Sequence, residues 1–424
     1  MRSASVRRQM VDERIVSFDE ALAIVQAKSA EVHPGPTEKI GIRDSLGRAL
    51  CTAVKADRDQ PPFDRSTRDG FAVRAEDAMA RAWLAVAGEI AAGSAWTGPL
   101  PVDEAVAIMT GAPVPDDADS VVMLEHVERS GTHKLAAIRL MEGRKLEPGD
   151  NIVPRASEAI AGDIVLEAGI RLDAAAVALA AACGAATLEV FAKPTVSILA
   201  TGDELVDVTE EPGPQQIRNS NSYGLAALVT EFGGIPHVQK IAPDEREALE
   251  RSIEEARKAD LMLLSGGVSM GEYDLVEEVL RSMGAEFFFT GVKMQPGKPL
   301  VFGRLPERGE ARAVYFFGLP GNPVSTQVTF SCFGSTLLSA LGGCFVEGPP
   351  FAQATLVDAI DPRPGITRVL PARLTSNRAK PEVRLVVWQG SGDMAANARA
   401  NCYAVLPGDV PHFRPGDVIT ILQR

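Results

Sequence analysis

One stretch of the chain, Asp260–Asp274, gathers side chains of the kind that handle phosphate and metal. Ser265, Ser269, Glu272 and Asp274 are set there around Gly266 and Gly267. Hydroxyls and backbone N–H groups on a glycine turn suit an anion, and hard carboxylates without histidine or cysteine suit Mg2+. Two further turns carry similar chemistry: Thr201-Gly-Asp-Glu204 adds Asp203 and Glu204, and Gly318-Leu-Pro-Gly-Asn-Pro323 adds Pro320 and Asn322. Lys298 stands in Pro296-Gly-Lys-Pro299 with Lys293 close by, two cations on a rigid turn. Each feature alone has a plain structural reading. Asp274 can cap a helix, the glycines can simply make the turn, and the lysines can be solvated surface charge.

What sets the turns apart is the elements that must carry them. Leu261–Leu264 is a short apolar run ending in Ser-Gly-Gly, the pattern of a strand buried on both faces, and Leu275–Met283 follows with helical spacing. Thr195–Ala200 and Ala313–Phe317 read as further strands, and His237–Ile241 as another. Asn221–Phe232 and Val324–Leu341 read as helices. A capping box at Asp244–Glu247 opens one more, running to about Ala259. Phe287–Phe289 and Pro299–Phe302 are β-like. Strands alternating with helices predict a doubly wound parallel sheet, whose ligands lie outside the carboxyl ends of the strands. The turns Thr201–Glu204, Ser265–Asp274 and Gly318–Pro323 then converge on one crevice.

Before this region, Ser17-Phe-Asp-Glu20 is a capping box for a helix to about Ala27, broken by His33–Thr37, and Ile40–Ala56 reads as mixed extended pieces around a Gly47 turn. Asp59–Val73 reads as irregular, dense in charge and turn residues, and is either a site-bearing loop or an ordinary crossing between domains. Trp83–Ala87, Glu104–Met109, Ser120–Glu128 and Lys134–Leu140 predict a β-rich module. Within it, Thr110 sits on a turn where its hydroxyl can take phosphate or satisfy the backbone. Extended pieces near 150–154 and 162–166 precede the alanine-rich run Ala174–Leu188, which reads as a packed helix rather than a membrane span. After Pro349, Ala354–Val357, Val383–Trp388, Cys402–Leu406 and Val418–Leu422 predict a small barrel or sandwich.

Composition narrows the function. The chain of 424 residues is 46% hydrophobic and 23% charged, which fits several globular domains. A formal charge of −13 argues against nucleic acid or an anionic membrane as partner. Five scattered cysteines and five isolated histidines give no zinc spacing and point to thiols in a reducing compartment. Met1–Arg14 has no apolar core of a secretory signal, so the expectation is a cytoplasmic protein. Walker A, G-x-G-x-x-G and Ser/His/Asp signatures are missing from the sequence. The residues by themselves reach a Mg2+-dependent site for a phosphorylated ligand and do not name the ligand.

Six ordered motifs go further. Pro61-Pro-Phe-Asp-Arg-Ser-Thr-Arg-Asp-Gly-Phe-Ala, Met109-Thr-Gly-Ala-Pro-Val-Pro, Thr201-Gly-Asp-Glu-Leu, Ser265-Gly-Gly-Val-Ser-Met-Gly-Glu-Tyr-Asp, Pro296-Gly-Lys-Pro and Gly318-Leu-Pro-Gly-Asn-Pro-Val-Ser together resemble the MoeA family of molybdopterin molybdenumtransferases, related to the gephyrin E domain. The resemblance covers essentially the whole chain. It implies an α/β multidomain protein: a discontinuous N-terminal linker and dimerisation domain (12–58 and 150–192) carrying an inserted β-rich domain (59–149), a MogA-like molybdopterin-binding domain (193–346) and a C-terminal β-barrel or sandwich (347–424). It also implies a homodimer that inserts molybdate into adenylylated molybdopterin with Mg2+ and releases AMP. Transient contact with a MogA-type adenylyltransferase and with molybdoenzymes follows from that role.

Carried over residue by residue, Asp69, Thr110, Glu204, Asp274 and Lys298 match the family's catalytic positions, with Glu204 and Asp274 as metal ligands and Asp69 assisting molybdate delivery across the dimer. Ser265, Gly266, Gly267, Ser269, Asp244, Pro320 and Asn322 match its substrate-binding turns, and Arg368 and Ser391 match an Arg and a Ser of the last domain that face the cleft. Three positions depart: Arg68 where Met is frequent, Glu158 where Asp is usual, and Gln295 where some members carry lysine. Two other readings use the same fold, an ATP-dependent molybdopterin adenylyltransferase and a non-catalytic binding scaffold. The additional domains argue against the first and the retained acidic set against the second.

Overall fold

The computed structural model describes residues 14–80, 82–131, 137–267, 275–309, 312–345, 348–376 and 380–424. The capping box expected at the start is formed: Ser17 Oγ accepts from the Glu20 N–H at 3.2 Å and the Glu20 carboxylate accepts from the Ser17 N–H at 2.7 Å. The helix it opens, Phe18–Ala30, runs three residues past the expected end and buries Phe18, Ala21 and Val25. That face packs into the core of the central sheet, with Phe18 edge-on to Phe333 at 5.5 Å between ring centroids.

Three short antiparallel pairings bind the leaving and returning segments of the N-terminal part: Thr37–Gly41 with Thr187–Phe191, Val54–Lys55 with Ile164–Leu166, and Arg65–Ser66 with Ile152–Val153. Between them the chain makes the expected β module, a six-stranded sheet with its own cores. Its membership corrects the sequence reading. Gly70–Val73, at the end of the supposedly irregular segment, is a fully buried strand between Ser120–Met123 and Glu104–Ile108. Charge on the residues before it hid a four-residue apolar strand. At Gly70 a Cβ would lie 2.0 Å from the Val122 carbonyl oxygen, so the close approach needs glycine. The run expected as Ser120–Glu128 is split by a 3-10 turn at Leu124–His126. The alanine-rich helix is also shorter than expected. It ends at Ala182, and Thr187–Phe191 leaves it as a strand.

The central sheet runs in the order Ile235–Val238, Thr195–Ala200, Leu261–Ser265, Val314–Leu319, Val301–Leu305 and Glu286–Phe289, all running one way except Val301–Leu305, which pairs antiparallel with both its neighbours. Helices Ser220–Glu231, Arg246–Ala256 and Leu275–Ser282 pack on it, as does a longer helical run from Pro323 to Leu341 that widens to a π-turn at Phe330–Gly334. Two expectations shift here. The strand placed at His237–Ile241 lies at Ile235–Val238. The capping box at Asp244–Glu247 does not form: Glu245 is the cap residue, without a side-chain bond, and the helix ends at Ala256. Asp244 is engaged elsewhere, with Thr201.

Strands Phe351–Leu356, Thr367–Ser376, Pro381–Leu385, Cys402–Leu406 and Val418–Gln423 close into a five-stranded barrel through the pairing of Thr367–Ser376 with Cys402–Leu406. The sequence reading missed its ten-residue strand Thr367–Ser376, whose charges and proline blur the alternation, and the short helix Met394–Arg399. Met294–Gln295 pairs with Thr367–Arg368, and Val369, Tyr403, Val405 and Leu422 of the barrel join the central core. Barrel and central sheet are thus held by shared apolar burial as well as by the chain.

Candidate active site

The described parts of the three turns meet at the carboxyl ends of the parallel strands. Thr201 N–H donates to the Ser265 carbonyl at 3.1 Å, and Gly266 N–H reaches the Leu319 carbonyl at 3.5 Å. Asn221, in the first turn of its helix, joins them further: its Nδ2 donates to Ser265 Oγ at 3.0 Å and to the Gly321 carbonyl at 2.7 Å. Gly266 has φ +90° and a Cβ on it would lie 2.4 Å from the Thr201 carbonyl oxygen, so this turn admits glycine alone. Asp244 Oδ1 accepts from the Thr201 hydroxyl at 2.6 Å, and its N–H donates to Asp203 Oδ1 at 3.3 Å. The Glu204 carboxylate folds over Gly202, where a Cβ would lie 2.4 Å from Oε2, and takes no hydrogen bond or ion pair among the described residues. Ser269, Glu272 and Asp274 lie outside the described residues, and among those described no cluster of three or more His, Cys, Asp or Glu is spaced to hold a metal ion.

Beside the crevice a cleft of about 400 Å3 separates the central sheet from the barrel. Lys298, Pro320, Asn322, Arg368 and Ser391 all line it, so five of the expected site residues come together there. The Ser391 carbonyl accepts from the Val324 N–H at 3.0 Å, which ties the barrel loop to the start of the helical run. Gly297 sits at φ +109° with Thr329 Cγ2 only 2.4 Å from where its Cβ would be, fixing the turn that presents Lys298. Neither Lys298 nor Arg368 has an ion-pair partner among the described residues, and no aspartate or glutamate lines the cleft. Burial lowers the pKa of Arg368, with the charge of Arg363 adding to the effect. A guanidinium stays cationic at neutral pH all the same. The cleft is built for an anion.

Asp69 and Thr110 are also brought together, 41 residues apart in sequence but in the inserted β module. Asp69 Oδ1 accepts from the Thr110 N–H at 2.7 Å and from its hydroxyl at 2.9 Å. Both bonds, the backbone one foremost, hold the Asp69 carboxyl below its ordinary range. No hydrogen bond among the described residues links this pair to the crevice.

Three family models cover the chain in order. The MoeA N-terminal region (domains I and II) matches residues 16–184, a probable molybdopterin binding domain 197–340, and the MoeA C-terminal region (domain IV) 353–423. A molybdopterin molybdenumtransferase of Staphylococcus epidermidis (strain ATCC 35984) is 33% identical over 416 residues, 96% of this chain and 95% of that protein. The chain belongs to the MoeA family. A second relative of the same name, from Staphylococcus aureus (strain MSSA476), is 31% identical over 91% of both chains. The molybdopterin biosynthesis MoeA protein of Pyrococcus horikoshii OT3 superposes with a TM-score of 0.76 at 28% identity, covering 97% of this chain and 100% of that one. Membership makes the protein a transferase of molybdenum cofactor biosynthesis, with the MoeA arrangement of N-terminal domains, central α/β domain and C-terminal barrel.

Two of the positions that depart from the MoeA pattern find local partners. Glu158 reaches Arg65 at 3.5 Å, joining the segments that flank the inserted sheet, and Gln295 lines the cleft next to Lys298. Arg68 lies immediately before Asp69, its carbonyl accepting from Ser66 Oγ at 2.7 Å. Sequence reasoning missed as site residues Asn221, whose amide at the head of a helix following a strand and loop was the available signal, and Trp388, read as the end of an extended run that in the structure stops at Leu385. No helix among the described residues is long and apolar enough to cross a membrane.

Proposed function

We propose that the protein is a molybdopterin molybdenumtransferase that takes adenylylated molybdopterin and molybdate and releases AMP, with its chemistry at the joined crevice and cleft. The observation that carries this reading is the pairing of a cleft whose described lining holds Lys298 and Arg368 and no acid with a crevice whose Glu204 carboxylate has no hydrogen bond or ion pair among the described residues. A cationic cleft next to a carboxylate suits a pyrophosphate-linked substrate that shares a divalent ion with the protein.

In this reading backbone N–H groups of the Gly266-Gly267 turn and the Lys298 and Arg368 cations hold the phosphates, with Ser391 facing them from the barrel side. Asn322 and Pro320 shape the wall between them. A water oxygen attacks the phosphorus of the molybdopterin phosphate, the bridging P–O bond breaks with its electron pair leaving on AMP, and the water's proton passes to solvent. Lys298 stabilises the charge that builds on the phosphoryl oxygens. Glu204, with Asp274, is a donor set suited to Mg2+, which is commonly held by one or two carboxylates plus substrate phosphate. Bound there, the ion would supply charge neutralisation on the pyrophosphate. Asp244 holds the Thr201 turn and through it the Ser265 turn. Asp69, kept ionised by Thr110, assists molybdate delivery from the inserted module across a homodimer. Contacts with a MogA-type adenylyltransferase and with molybdoenzymes would supply substrate and receive product.

The test is anaerobic incubation of the purified protein with adenylylated molybdopterin, Mg2+ and molybdate, following AMP and metal-loaded cofactor. AMP release that requires molybdate supports the transferase. Tight binding without AMP release would mean a scaffold, and AMP incorporation from ATP would mean an adenylyltransferase.

A further inference from the structure

Trp388 lines the cleft between the central sheet and the barrel. The indole is partly buried and packs at once against the central core and the barrel core, so both walls fix it. Pro296, Pro299 and Pro320 line the same space, together with Lys298 and Arg368, two cations without an ion-pair partner among the described residues. At about 400 Å3 the cleft falls within the range of sites for small organic ligands. A rigid aromatic among prolines, flanked by two cations and no carboxylate, matches a ligand that carries both a flat ring and a phosphate.

We propose that Trp388 is a stacking platform for the planar heterocycle of such a phosphorylated ligand, with Lys298 and Arg368 on its phosphate. The proposal rests on the cleft's being part of the substrate site. Aromatic side chains accept any flat heterocycle by its face, through dispersion and quadrupole contact. The adenine and the pterin of the adenylylated substrate share this chemistry, and the experiment separates them.

The chain has three tryptophans, at 83, 96 and 388. Trp83→Phe combined with Trp96→Phe leaves Trp388 as the single indole in the full chain, and its fluorescence is followed on titration with AMP, molybdopterin, adenylylated molybdopterin and molybdate alone. Quenching by AMP assigns the platform to adenine, and quenching by molybdopterin but not AMP assigns it to the pterin. Trp388→Leu, which keeps apolar packing but removes the ring face, should raise the Kd of the quenching ligand about tenfold. Trp388→Phe should stay within a few-fold of wild type. An unchanged Kd in Trp388→Leu for every ring-bearing ligand, or equal quenching by molybdate alone, overturns the proposal. Weakened binding in Trp388→Leu sustains the platform even where the wild-type protein shows no molybdate-dependent AMP release, so this proposal and the transferase reading fail separately.

Discussion

The Asp69–Thr110 pair shows how a single residue is prepared for a role. Two donors converge on one carboxylate oxygen, and the stronger of them is a backbone N–H that no substitution at 110 short of proline removes. Because the folded-state pKa is depressed, the contribution to stability is fully present above the ordinary Asp value and is lost only as the pH falls through the lowered one. We therefore expect no limb of the pH–activity profile between pH 5 and 8, near neutrality, to come from Asp69. Asp69→Asn keeps an acceptor for both Thr110 donors while removing the charge. Thermal unfolding should be close to wild type, while molybdate-dependent AMP release falls by an order of magnitude or more. Wild-type turnover in that variant would remove Asp69 from the reaction. In the cleft, Arg368→Gln removes an unpartnered cation. A hydrogen bond to a charged group is worth about 1.5–3 kcal/mol, so the Kd of the phosphorylated ligand should rise roughly ten- to a hundredfold, as measured by calorimetric titration.

At the scale of elements, the site exists because turns from distant parts of the chain are tied to one another. Asn221 is the tie between the Ser265 and Gly321 turns. Asn221→Ala removes both bonds at about 1 kcal/mol each. We expect affinity for adenylylated molybdopterin to fall by roughly fivefold to thirtyfold, and unchanged binding would mean that the turns hold themselves. Gly297 is a second such position. Gly297→Ala adds a Cβ at φ +109° and drives it toward Thr329, at a cost on the order of 1–3 kcal/mol for the backbone alone. The Lys298 turn should shift as a result. The expected reading is a lowered unfolding temperature together with weakened phosphate binding, since both follow from the same displacement.

At the scale of the whole molecule, Asp69 lies in the bend before a strand of the inserted sheet and Glu204 in a turn beyond a strand of the central sheet, and no hydrogen bond among the described residues connects them. The homodimer proposed above, in which each site would be completed by the neighbouring copy's inserted module, would account for that lack of connection. Mixing inactive Asp69→Asn protein with inactive Glu204→Gln protein, after exchange of subunits, should then restore part of the AMP release. No recovery in a sample shown by native mass spectrometry to contain mixed dimers would mean that both residues act within one chain. Chelation should abolish AMP release, and added Mg2+ should restore it without altering the unfolding of the barrel.

The sequence by itself determined the elements whose hydrophobic period is clean and the turns whose glycines have no substitute. Thr195–Ala200, the Leu261 strand, the Ser17–Glu20 capping box and the convergence of three turns were all legible, because burial on both faces and capping are local properties. Motif order carried the family. The tertiary structure alone decided what depends on partners far along the chain. Gly70–Val73 is a strand because two neighbours pair with it, and Thr367–Ser376 holds its ten residues because the barrel closes around them. Asp244 leaves its helix uncapped because the Thr201 hydroxyl, 43 residues earlier in the chain, offers it a bond. Asn221 gains its place only once the turns of the central sheet meet, and Trp388 only once sheet and barrel meet, since a side chain's chemistry is readable in sequence but its neighbours across the fold are not.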